Sequence, residues 1–84
     1  MSALSVVLAV SVFAATHLSD DIGGKTFDVS GSPYIIDKDV VIPQNAQVTV
    51  KPGCVFLFKS FTGMNIYGNF IVEGTTENPI VFTA

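Results

Sequence analysis

The sequence predicts an all-β fold in which short strands wind into the coils of a parallel solenoid. Three observations carry that prediction. The stretch Gln47-Val48-Thr49-Val50-Lys51 alternates strictly, with Val48 and Val50 on one side and Gln47, Thr49 and Lys51 on the other. That is the period of two of a half-buried strand. Pro52-Gly53 then turns the chain, Pro fixing φ at the first central position and Gly supplying the positive φ of the second. A second apolar run, Cys54 to Phe58, follows at once. Finally, the pattern recurs: Val48-Thr49-Val50-Lys51-Pro52-Gly53 is echoed by Phe70-Ile71-Val72-Glu73-Gly74, and Phe56-Leu57-Phe58-Lys59 by Ile80-Val81-Phe82-Thr83. Offsets of roughly 21 to 24 residues match one coil whose equivalent strands stack about 4.8 Å apart. Taken alone, the same stretch also fits a hairpin, with Val48-Val50 antiparallel to Phe56-Phe58 in a small β-sandwich. A hairpin gives no reason for the echo, so the repeat favours stacked coils.

The first fifteen residues stand apart from this pattern. Residues 3–15 are almost unbroken apolar and small sequence, with Leu4, Val6, Val7, Leu8, Val10, Val12 and Phe13. That is short of the roughly 20 residues that cross a bilayer and suits the apolar core of a secretory signal. Val12-Phe13-Ala14 places small residues where a signal peptidase reads, although no Lys or Arg precedes the run. Residues 1–15 are therefore expected to be a signal peptide, and the protein to be secreted or displayed at the cell surface. Residues 16–26 are mostly polar, contain Gly23-Gly24, show no period, and read as a linker.

Residues 27–84 are expected to form the coils. Phe27-Asp28-Val29 is a short first strand closed by Ser30-Gly31-Ser32-Pro33. Tyr34-Ile35-Ile36 is a β-branched and aromatic triplet ended by Asp37-Lys38-Asp39, and Val40-Val41-Ile42 is a further triplet stopped by Pro43-Gln44-Asn45. Past Phe58, Lys59-Ser60-Phe61-Thr62-Gly63 bends the chain, Met64-Asn65-Ile66-Tyr67 alternates, and Gly68-Asn69 turns it again. Phe70-Ile71-Val72 and Ile80-Val81-Phe82-Thr83 are the last strands, separated by the loop Glu73 to Pro79. The inward set predicted by parity is Val48, Val50, Phe56, Phe58, Ile66, Phe70, Val72, Ile80 and Phe82. No window spaces its apolar residues by three and four, so no helix is expected outside residues 1–15.

These motifs resemble the opening coils of right-handed parallel β-helix repeat proteins. The resemblance runs from about residue 33 to the last residue. It rests on Val48-Thr49-Val50-Lys51-Pro52-Gly53 followed by Val55-Phe56-Leu57-Phe58, and on Gly74-Thr75 with Asn78-Pro79-Ile80-Val81-Phe82-Thr83. Asn45-Ala46 stands where the family commonly has a Gly, and Asn tolerates the left-handed conformation that turn requires. The resemblance implies the N-terminal coils of a longer exported bacterial surface protein. Stopping such a stack at Ala84 leaves unpaired backbone groups exposed. Further β-helix coils, or self-association through that open C-terminal edge, are the expected partners.

Composition narrows the chemistry. The net charge is −3, and the four cations Lys25, Lys38, Lys51 and Lys59 are scattered singly with no Arg among them. No basic stripe follows a phosphate backbone, so nucleic acid is not an expected partner. The one cysteine, Cys54, has no internal bridging partner and reads as a small buried hydrophobe. Asp37 and Asp39 form the one close carboxylate pair of the expected coils. Flanking Lys38 in a turn, they read as solvated charges rather than an acid/base or Ca²⁺ site. Glu73 and Glu77 bracket a loop and are expected to face water, and His17 lies beside the signal with no partner in sequence. Gly23-Gly24-Lys25-Thr26 lacks the upstream Gly and the helix of a phosphate loop. No cofactor, metal or catalytic residue is expected. Phe61 at a bend and Tyr67 at an outward position are the candidates for surface contact, with polysaccharide as the ligand class, whereas core packing accounts for Phe58 and Phe70. The expected function is a non-catalytic structural or adhesive module. The alternatives are the N-terminal part of a carbohydrate-active lyase or hydrolase with its catalytic coils elsewhere, and the β-sandwich binding domain.

Overall fold

The computed structural model describes residues 15–84, which form an all-β solenoid of about 3 turns with every strand pair parallel. The strands are β1 (Thr16–Asp21), β2 (Thr26–Phe27), β3 (Tyr34–Ile42), β4 (Gln47–Val50), β5 (Val55–Phe58), β6 (Met64–Ile66), β7 (Asn69–Val72) and β8 (Val81–Thr83), with one 3-10 turn at Val29–Gly31. One sheet runs β1-β3-β5-β8 with β6 also on β3, and the other runs β2-β4-β7. Neighbours in a sheet come from successive passes of the chain, which is the signature of stacked coils rather than hairpins. The expected export signal, residues 1–15, lies outside the described residues except for its last position.

Corners and parity set the coil. Gly53 has φ 88°, the left-handed value that the second central residue of the Pro52-Gly53 turn requires and that a side chain resists. Asn45 takes φ 70° at the turn after β3, filling with a tolerant residue the place expected of Gly. Gly68 is constrained by space instead: a Cβ there would run into the carbonyl oxygens of Pro43 and Ala46 in the coil before it. That approach lets Asn69 N–H donate to Ala46 O at 2.9 Å and Tyr67 N–H donate to Ile42 O at 2.8 Å.

Equivalent side chains then stack into columns. Val48 stands opposite Phe70 and Val50 opposite Val72, the register read from the repeat. Tyr34 stands opposite Phe56, and Phe56 opposite Phe82. Their rings stack at 5.1 Å in both steps, with Phe27 edge-on to Tyr34 at 4.9 Å and to Phe56 at 5.8 Å. Ile36, Val40, Ile42, Val48, Val50, Cys54 and Phe56 are fully buried. Cys54 occupies the core as a small hydrophobe, its thiol pushed up in pKa by burial and set 3.6 Å from Phe27 O.

Four details differ from the sequence-based expectation. Residues 16–26, expected as a linker, carry β1 and open β2. Only Leu18 of β1 is buried, so the strand needs one apolar residue and shows no alternation. Phe27-Asp28-Val29, expected as a strand, ends at Phe27: Asp28 caps the 3-10 turn by accepting from Ser30 N at 3.0 Å. The two triplets around Asp37-Lys38-Asp39 belong to one nine-residue strand, although each half meets a different neighbour, Tyr34–Ile36 pairing with β5 and Val40–Ile42 with β6. Lastly, Phe82 rather than Ile80 lies opposite Phe56. The loop before β8, tied by Gly53 N–H to Asn78 O at 3.1 Å, takes up two more residues than the repeat suggested. A slip of two keeps inward parity and places ring on ring.

Candidate functional site

The outer side of β3 turns polar at its middle. Ile35 and Val41 are half-buried flank positions, but Asp37 is only partly covered and Lys38 and Asp39 are exposed, because here β5 has ended and β6 has not begun. The intervening residues 59–63 bulge outward beside them. Both ends of the bulge are fastened: Lys59 N–H donates to Ile36 O at 3.1 Å, and Gly63 N–H donates to Asp39 Oδ1 at 2.8 Å while Gly63 O accepts from Val40 N–H at 3.0 Å. Within it, Thr62 Oγ1 donates to Lys59 O at 2.7 Å.

Three polar side chains from three coils meet on this ridge. His17 Nδ1 lies 2.7 Å from Asp37 Oδ2, and Lys59 Nζ lies 2.9 Å from Asp37 Oδ1. An ionised carboxylate only accepts, so Nδ1 of His17 carries the proton in this contact. The Lys59 ammonium first, and His17 after it, hold the Asp37 carboxyl below its ordinary value. Asp37 and Asp39 therefore serve separate structural tasks, one joining His17 and Lys59 across coils and the other pinning the bulge.

Phe61 sits at the crest. Its ring is fully exposed and its backbone has φ 63°, a left-handed conformation that costs a bulky residue about 1–2 kcal/mol. The fastened ends of the bulge impose that conformation, which Gly or Asn would adopt more easily. Tyr67, at the far end of β6, is also exposed. The two residues singled out for surface contact thus both face solvent, at opposite ends of one three-residue strand. Phe58 and Phe70 pack against the core, Phe70 at 6.1 Å from Phe82, as expected of them. Glu73 and Glu77 are exposed, Glu73 reaching back one coil to Lys51 at 3.1 Å. Gly23-Gly24-Lys25-Thr26 forms the corner between β1 and β2.

No family model matches this chain, and no curated protein or solved structure is significantly similar to it. Its likeness to β-helix proteins lies in the repeat motifs and in the stacked parallel coils.

A hollow of about 450 Å³ opens at the first coil between β1, β2 and the 3-10 turn. Two of its polar side chains, Thr16 and Tyr34, already serve that turn. The Tyr34 phenol, raised in pKa by burial, donates to Asp28 O at 2.6 Å, and Thr16 Oγ1 donates to Gly31 O at 2.7 Å. The ridge offers what this hollow does not: an apolar ring wholly in water, on the bulge that also carries Lys59 and Thr62.

The role of His17 was not legible from sequence. Its partner lies one coil away, and β1 gives no periodic signal from which that register might be read.

Proposed function

We propose that the chain is a non-catalytic structural and adhesive module, the N-terminal coils of an exported bacterial surface β-helix, whose outer ridge makes the contact. The observation that carries this reading is Phe61, a large ring held wholly in solvent on left-handed backbone. The fold gains nothing from a Phe at that position, so the side chain serves something outside the fold. A flat apolar ring on the same bulge as Lys59 and Thr62, with Asp37 paired to Lys59, suits a sugar: ring C–H groups stack on the aromatic face while hydroxyls bond the polar groups. Polysaccharide is accordingly the ligand class. The right-handed winding that the family resemblance implies agrees with the general handedness of parallel crossovers. Export rests on the apolar run of residues 3–15.

The enzymatic alternative places its catalytic coils elsewhere, so it asks no chemistry of the ridge carboxylates, and downstream sequence separates the two readings.

Co-sedimentation with insoluble cellulose, chitin and peptidoglycan tests the proposal. The chain is expected to bind at least one of them, and Phe61→Ser to lose that binding with unchanged circular dichroism. Retention of none of the three by the native chain, or equal retention of native and Phe61→Ser chains, overturns it.

A further inference from the structure

Two aromatic rings point out of the stack among the described residues, and both belong to the same coil. Phe27, Tyr34 and Phe56 are buried, Phe58 and Phe70 pack against the core, and Phe82 stacks on Phe56. That leaves Phe61 and Tyr67, both exposed. Strand parity explains Tyr67. Met64 and Ile66 stand opposite the buried Val40 and Ile42, so Asn65 and Tyr67 take the alternate, outward direction. Outward positions stay at the surface wherever in the stack they fall: Val41, with a coil on either side, is still partly exposed.

The earlier coils offer no ring at either place. Leu18 and Asp20 stand opposite Ile36 and Val40, which in turn stand opposite Phe58 and Met64. The bulge that carries Phe61 is therefore answered by Asp37-Lys38-Asp39 in the coil before it, and by Ser19 alone in the first. Pro43 and Gly23, which lie against each other, hold the place of Tyr67 in those two coils. A polymer laid along the stack from Phe61 thus meets charge and no second ring. One laid along β6 reaches Tyr67.

We infer that the ligand lies crosswise, along β6, with Phe61 and Tyr67 as two subsites for one polysaccharide chain and the Asn65 amide between them. This rests on the reading of the ridge as a polysaccharide contact, and adds to it a direction, two residues and a minimum length. The three steps from Met64 to Tyr67 cover about 10 Å of extended strand, and the six from Phe61 to Tyr67 at most about 22 Å. A short oligomer therefore fills one ring, and a longer one both. Once the first ring is engaged, the second contact forms within one complex, at high effective concentration. Affinity then rises as a step at the length that bridges the rings, not evenly with each unit. The Asn65 amide, donor and acceptor at once, serves sugar hydroxyls passing over it.

Isothermal titration of the full chain with cello- and chito-oligosaccharides, from disaccharide to hexasaccharide, tests this, with Tyr67→Ser and Tyr67→Phe as variants. Tyr67 is exposed, and its N–H, which donates to Ile42 O at 2.8 Å, is untouched by either change. The fold therefore persists, as circular dichroism verifies. In at least one series the native chain is expected to gain at least about tenfold in affinity between two successive lengths. Tyr67→Ser is expected to lose that step while binding shorter oligomers as the native chain does, and Tyr67→Phe to keep it. Native affinity that rises evenly or not at all, or a step that survives Tyr67→Ser, overturns the crosswise arrangement and leaves Phe61 as a single contact. Failure of the native chain to bind either series overturns it as well, and the co-sedimentation result then decides the polysaccharide reading separately.

Discussion

At the scale of single residues, the ridge separates what the fold needs from what it tolerates. Phe61 occupies backbone with φ 63° that favours Gly or Asn. Phe61→Asn is therefore expected to leave stability unchanged or raise it by up to about 1 kcal/mol, measured by urea unfolding, while removing the ridge's apolar ring. Few exposed aromatics are expected to behave so, which makes the sign of the change informative. Asp37 gives a pH dependence. Its folded-state pKa is depressed below 3.8, by Lys59 foremost and by His17, so its contribution is fully present above that value and is lost as pH falls through the folded value. Acid titration followed by circular dichroism is expected to show a smaller loss of stability below about pH 4 for Asp37→Asn than for the native chain. Phe61 and Tyr67 were legible as surface residues because a bend and an outward parity position are local features. The His17–Asp37–Lys59 column was not, because it depends on which residues stack across coils, and no local pattern encodes that.

At the scale of elements, the repeat told most where it was most regular. The register of β4 on β7 followed directly from Val48-Thr49-Val50 and its echo at residues 70–72. β8 shows the limit: the loop before it is longer than its counterpart, and the ring stack of Phe56 on Phe82 at 5.1 Å, together with the tie from Gly53 to Asn78, sets the register. β1 shows another, since an edge strand with one buried side chain has nothing to alternate. Two substitutions probe the elements. Gly68→Ala places a methyl group against the carbonyls of Pro43 and Ala46 and is expected to cost at least about 2 kcal/mol by forcing adjacent coils apart. Phe56→Ala removes the middle ring of the Tyr34–Phe56–Phe82 stack and is expected to cost about 3–5 kcal/mol. Both are read from the midpoint of chemical unfolding.

At the scale of the whole molecule, the stack has a polar, irregular first edge and a ridge bearing one strained aromatic. Each part depends on the coils being parallel and in the observed register. If Pro52-Gly53 joined a hairpin instead, the columns and the ridge would dissolve together. The most direct test is a solution NMR spectrum of the labelled chain, read for contacts between strands. Parallel coils predict nuclear Overhauser contacts of Val48 with Phe70, Val50 with Val72 and Phe56 with Phe82. Contacts running antiparallel between Val48–Val50 and Phe56–Phe58, with none between those columns, would contradict the solenoid.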